Sequence, residues 1–212
     1  MIKIYPFKGF TKTIGIGLAA GTLLMTPMSG NAQLSVEKER AGDRFELVEK
    51  NIPPSGTSEK SVLKNAPNPH IYIAGERKTA VIVVDVSKNI LYHYDEEGEP
   101  LEAFSIASGK LSTPTHTGAR IVSHVETYPY SNAPYGSKRR RNPRDYGPKI
   151  IILDKLDVET GERSSCGEFI HGNRNPDSIG TYASKGCMRM DNDVIKYLSA
   201  QVKRGDIVVV KR

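Results

Sequence analysis

The chain has 212 residues, 38% of them hydrophobic and 25% charged, with no Trp and only two Cys. That composition fits one globular domain with an extension, and it excludes wholesale disorder, a disulfide-dense mini-domain and a Cys₄ zinc site. The formal net charge is +6, but Lys3, Lys8 and Lys12 are the only charges in the first 32 residues; without them 27 basic residues face 24 acidic ones, too mild an excess to indicate nucleic-acid binding.

The N-terminal segment reads as an address. Residues 1–12 carry three lysines and no acid, residues 13–28 carry no charge, and Gly30 and Ala32 fit the small-x-small pattern of a signal-peptidase site. The apolar run is short for a membrane span and is interrupted by Gly and Pro. A secretory signal over 1–32 is therefore expected, with export to the periplasm or cell wall and membrane contact only through that segment. An uncleaved anchor is the alternative. Residues 33–50 are highly charged, and 51–70 hold four prolines, so 33–78 reads as an extension and linker.

From Thr79 onward the texture is that of a folded domain, expected over 79–212. AVIVVDV (80–86), ILYHY (90–94) and EAFSIA (102–107) predict three strands separated by the turns SKN and DEEG, an antiparallel meander. SGKLSTPTHTG (108–118) is loop. Residues 119–126 and 149–153 predict further strands, joined by a long polar and basic loop over 131–148. Asp191 is a suitable N-cap; Val194, Ile195, Leu198 and Val202 recur at helical spacing; Gly205 supplies a stop. DIVVVK (206–211) predicts a closing strand. The fold class expected is mainly β, a sandwich or barrel of mixed sheets with one or two short helices.

The chemistry is concentrated in CGEFIHGNRNPDSIGTYASKGCMRM (166–190). A thiol nucleophile needs an ionisable sulfur, a base within reach and donors for the oxyanion. Cys187 and His171 supply the first two, Gly186 allows a tight turn of backbone N–H groups, and Lys185 and Arg189 flank the sulfur and would favour its thiolate. By residue type and spacing alone, a core cysteine and a structural histidine are the commoner readings.

The segment resembles the signature of the L,D-transpeptidase catalytic domain. The matches are His171-Gly172 at the end of a strand and Ser184-x-Gly186-Cys187-Met188-Arg189-Met190. AVIVVDVSKNILYHYDEEG, SIASGKLSTPTHTG and KYLSAQVKRGDIVVVKR resemble the family's opening hairpin, its Ser-Gly strand with Thr-Pro turn, and its final helix and strand. The resemblance covers about 79–212. It implies that Cys187 attacks the third, diamino-acid residue of a peptidoglycan tetrapeptide stem, that D-alanine leaves, and that the thioester passes to the amine of a second stem, giving a 3-3 cross-link. His171 is the implied base and Gly186 and Cys187 the implied oxyanion donors. Arg189 is implied to hold a carboxylate or brace the turn, and Thr113, Ser184, Lys185 and Gly172 to lie at the site. No metal or other cofactor is implied, and carbapenem-type compounds are expected to acylate the cysteine.

Two positions depart from the family pattern. Lys185 stands where the family usually has a second histidine, and the Thr-Pro turn is longer, with His116 and Thr117 before Gly118. Other acceptors would make the same thioester chemistry an L,D-carboxypeptidase or a D-amino-acid exchange. Without turnover the domain would be a wall-binding module. A disulfide between Cys166 and Cys187, and a zinc site recruiting His116 or His124, are further readings that the residue types permit. The run Lys138-Arg139-Arg140-Arg141 reads either as a solvated loop or as a lid that meets anionic wall polymer or carboxylates.

Overall fold

The computed structural model describes residues 60–212; the expected signal over 1–32 and most of the expected extension lie outside the described residues. Among the described residues no helix is long and apolar enough to cross a membrane.

The meander forms as its apolar runs and intervening turn residues predict. β3 (Ile82–Asp85), β4 (Ile90–Tyr94) and β5 (Pro100–Ser105) pair antiparallel in succession. β7 (Gly118–Thr127), β8 (Lys149–Leu156) and β9 (Arg163–His171) make a second antiparallel run. β12 (Ile207–Lys211) joins the two, parallel to β3 and antiparallel to β7, and β11 (Met188–Arg189) adds parallel to β9. The sheet order is β11-β9-β8-β7-β12-β3-β4-β5. A second parallel pair joins β6 (Ser108–Gly109) to β10 (Tyr182–Ser184).

The large sheet curls. Leu91 and Phe104, from one end, share a buried cluster with Ile170 and Met188, from the other. Beyond β5 the chain meets β11 itself, where Ala107 and Arg189 form an antiparallel bridge. Packing both ends against one core closes the sheet towards a barrel and removes an exposed edge.

Ile195 and Leu198 of α3 (Asn192–Gln201) enter the same core. Asp191 caps the helix, its side chain accepting from the N–H groups of Asp193 and Val194. The helix ends before the expected glycine stop. Val202 is already extended, and Gly205, at φ 96°, serves the turn into β12 instead.

Residues 60–79 pack on the sheet. β1 (His70–Ile73) and β2 (Glu76–Thr79) form a hairpin around Ala74-Gly75, and Ile73 packs on Ala119, Ile121 and Leu156. α1 (Lys60–Leu63) leads to Pro67, whose carbonyl accepts from the buried Tyr94 hydroxyl at 2.5 Å. Proline content suggested a spacer here; apolar contacts and a buried hydroxyl that needs an acceptor tie the segment down.

Candidate active site

β9 and β11 carry the motif. Met188 lies opposite Ile170 and Arg189 opposite His171. Strand side chains alternate, so Ile170 and Met188 fill the core while Phe169, His171 and Arg189 take the other face. Cys187 leads directly into β11, and the backbone of Phe169 hydrogen-bonds its sulfur.

His171 is buried, and its Nδ1 lies 2.6 Å from the carbonyl oxygen of Gly172. A carbonyl only accepts, so Nδ1 carries the hydrogen and the neutral ring keeps its lone pair on Nε2. Burial lowers the imidazole to about 4; the Gly172 bond opposes this and the charge of Arg189 adds to it. Burial also pushes the Cys187 thiol up, against the Phe169 bond and Arg189. The resting pair is neutral thiol and neutral imidazole. Arg189 favours the thiolate, as its place beside the sulfur suggests. Desolvation outweighs Arg189, and Lys185 is exposed.

Ser184 is fully buried. Its hydroxyl donates to the Cys187 carbonyl at 2.6 Å and accepts from the Gly186 N–H at 3.1 Å. It closes the turn that presents the sulfur and does not line the site, and the Gly186 N–H expected to face an oxyanion is spent on it. Gly186, at φ 111°, is in the region that favours glycine. The 110–117 loop buttresses this turn. Thr115 Oγ1 donates to the Gly186 carbonyl at 2.8 Å and accepts from the Gly109 N–H at 2.9 Å, while Thr113 Oγ1 donates to the Ser184 carbonyl at 3.2 Å. Thr115 went unrecognised in the sequence, where the only hint is a threonine beside Pro114 in a polar loop.

Gly172 has no room for a side chain. A Cβ there would lie 2.5 Å from Asn192 Oδ1, 2.8 Å from Pro148 Cδ and 3.0 Å from Gly147 Cα. That close approach seats the end of β9 beneath residues 128–148. Arg189 exchanges both backbone bonds with Ala107, and its Nε is buried with no hydrogen-bond partner among the described residues.

Residues 128–148 cover this face as a lid, containing α2 (Lys138–Arg141) and a 3-10 turn over Pro143–Tyr146. The Tyr146 ring lies 4.8 Å from the His171 ring and packs edge-on with Phe169. Arg139 donates through Nε and Nη2 to both oxygens of the buried Glu126, at 2.6 and 3.0 Å, and lies over the Phe169 ring. Arg140 bonds the Ala133 carbonyl. Half of the basic run is thus structural.

Cys166 and Cys187 are both free, the Cys166 thiol donating to the Leu153 carbonyl at 3.2 Å. His116 pairs with Glu168 and His124 with Glu126. Among the described residues no three His, Cys, Asp or Glu side chains gather as a metal site, so the zinc reading has no geometric basis.

The sequence pattern of the L,D-transpeptidase catalytic domain, the YkuD domain, matches residues 79–210. Probable L,D-transpeptidase ErfK/SrfK of Escherichia coli K12 is 30% identical over 138 residues, 61% of this chain and 43% of that protein. YkuD of Bacillus subtilis 168 is 31% identical over 113 residues, 53% of this chain and 54% of its own length. The chain thus spans about half the length of these curated relatives. Among solved structures, an L,D-transpeptidase from Mycobacterium tuberculosis H37Rv superposes with a TM-score of 0.44 at 16% identity, covering 63% of this chain and 57% of that one. A second from that species, L,D-transpeptidase 3 with a faropenem-derived adduct, gives 0.42 at 14%, covering 68% and 67%.

Proposed function

Because the chain belongs to the L,D-transpeptidase catalytic-domain family, we propose that it is a peptidoglycan L,D-transpeptidase with Cys187 as nucleophile and His171 as general base. The observation that supports this reading is the parallel register of β11 on β9, which sets Arg189 opposite His171 and so brings the turn that holds Cys187 to the strand that ends in a buried histidine whose Nδ1–H is committed to Gly172.

In the proposed cycle the thiol proton passes to His171 Nε2 as Sγ attacks the carbonyl carbon of the diamino-acid residue in a tetrapeptide stem. The carbonyl oxygen becomes an oxyanion held by the Cys187 N–H. The C–N bond then breaks, and His171 returns the proton to the departing D-alanine amine, leaving a thioester. The amine of a second stem gives a proton to Nε2 and attacks the thioester; the sulfur leaves and is reprotonated, and a 3-3 cross-link remains. At neutral pH the imidazole, lowered to about 4 by burial, is unprotonated and its Nε2 lone pair is available, while the same burial makes the proton transfer from the thiol costly. The energy comes from the amide that is cleaved.

Arg189 braces the motif strand through its backbone, and its unpartnered Nε offers a donor for a substrate carboxylate. Penem and carbapenem compounds present a strained amide to the same sulfur and should acylate it. The work is assigned to the periplasm or cell wall, with residues 79–212 as the catalytic domain and 1–32 as the export signal.

The test is incubation with disaccharide-tetrapeptide, followed by mass spectrometry, with Cys187→Ala as control. A cross-linked dimer that has lost one D-alanine supports transpeptidation. Tripeptide alone identifies water as the acceptor and makes the enzyme a carboxypeptidase. No acyl-enzyme on the reduced protein overturns the catalytic reading and leaves a wall-binding module.

A further inference from the structure

Arg120, on β7, reaches past β8 to Glu168 on β9, and both side chains are buried. Its Nε donates to Glu168 Oε2 at 2.7 Å, Nη1 to the Ala119 carbonyl at 2.9 Å and Nη2 to the His116 carbonyl at 3.1 Å. From the solvent side, His116 Nδ1 lies 3.1 Å from Glu168 Oε1. Glu168 stands where β9 bulges. Between the pairs Ile152–Phe169 and Asp154–Ser165, residues 166–168 oppose the single Leu153, around Gly167 at φ 68°. A bulge re-aims the side chains it carries.

The pair connects the two backbone supports of Cys187. Glu168 leads into Phe169, whose backbone hydrogen-bonds the Cys187 sulfur, and its own charge acts on that sulfur, pushing the thiol up. His116 follows Thr115, the one buried residue of the 110–117 loop, whose hydroxyl holds the Gly186 carbonyl at 2.8 Å. Arg120 is bonded to both sides. Desolvating a guanidinium and a carboxylate offsets most of their attraction, so apolar residues of similar volume would serve stability as well. They could not hold the His116 carbonyl. The guanidinium fork therefore adds geometry to the turn rather than stability to the fold.

We propose that Arg120 is a positioning residue for the nucleophile: paired with Glu168, it locks the bulge of β9 and the Thr115 loop into one register and so places the Cys187 turn. This rests on the reading of Cys187 as the nucleophile and adds the element that aims it.

The test uses the full-length chain and the rate of acyl-enzyme formation with saturating disaccharide-tetrapeptide, followed by rapid-mix mass spectrometry. Arg120→Met/Glu168→Met replaces the pair by apolar side chains. It should melt close to the parent yet acylate about ten-fold more slowly, with the half-saturating concentration unchanged. Removing the Glu168 charge by itself eases ionisation of the thiol, so charge and position act in opposite directions. Acylation at the parent rate or faster overturns the positioning role. Arg120→Lys keeps a charge opposite Glu168 without the fork, and should also be slow. Combined with Thr115→Val it should be no slower than the slower single variant, because both act through one turn; rate losses that multiply show independent effects and overturn the proposal. If the parent forms no acyl-enzyme, the transpeptidase reading fails. The same comparison on Cys187 alkylation by iodoacetamide, mapped by peptide mass spectrometry, then decides the positioning role alone.

Discussion

The ring of Tyr146 lies 4.8 Å from the imidazole of His171. That contact joins the lid to the end of β9 and removes water from one face of the base. The same burial that makes His171 hard to protonate keeps Cys187 a thiol.

A buried base lowered from 6.5 to about 4 moves the acid limb of activity. The acylation rate should stay level down to about pH 5 and fall as pH drops through about 4, where His171 takes up a proton and loses its lone pair. Rapid-mix mass spectrometry of the acyl-enzyme across pH reads this. A limb near 6.5 would mean that the imidazole is solvated. His171→Gln should slow acylation by roughly 10²–10⁴-fold.

The same shift affects stability. The folded value lies below the unfolded one, so His171 carries no penalty above about pH 6.5. As pH falls from 6.5 towards 4 the unfolded chain binds a proton that the fold refuses. About 3 kcal/mol of stability should be lost over that window. Denaturant melts at pH 7 and pH 4.5 should differ less in His171→Gln than in the parent.

Breaking the lid anchor should cost more than deleting a surface charge. Arg139→Ala leaves Glu126 buried without its bidentate partner and uncovers Phe169. A loss of about 3 kcal/mol is expected, with slower acylation as Tyr146 lifts from His171. Arg139→Lys, which cannot bond both oxygens in one plane, should recover only part. Thermal melts with acylation rates check both.

The turn that presents the sulfur depends on Ser184 and Thr115. Ser184→Ala removes the bonds to the Cys187 carbonyl and the Gly186 N–H, and Thr115→Val removes the link between Gly109 and Gly186. Each should destabilise by about 1–3 kcal/mol by leaving buried groups unpaired and slow acylation with Cys187 and His171 in place. Unchanged acylation in Ser184→Ala would show that the turn presents the sulfur without the Ser184 hydroxyl.

Gly172→Ala should be among the costliest single changes at the site. The new methyl meets the Pro148 ring and the Gly147 backbone at 2.8 and 3.0 Å, neither of which can rotate away. A loss above about 2 kcal/mol is expected, with acylation falling as the end of β9 shifts. Melting and rate measured on one preparation separate the two effects.

Local patterning determined much of this protein. Apolar runs bounded by turn residues located β3, β4, β7 and β8 to within a few residues, Asp191 marked the start of α3, and the run from His171 to Arg189 carried the family resemblance before any geometry was known. Those features depend on neighbours in the chain. Tertiary structure decided the rest, because desolvation and pairing depend on residues far away. Only the register of β11 on β9 brings the turn that holds Cys187 to the strand that ends in His171, and only burial shows that the thiol is raised and the imidazole lowered, whatever charges flank the thiol. Of four consecutive basic residues, one is locked on Glu126 and another opens onto a cleft. A run of like charge does not say which side chain meets a buried carboxylate; the fold that brings Glu126 beneath Arg139 does.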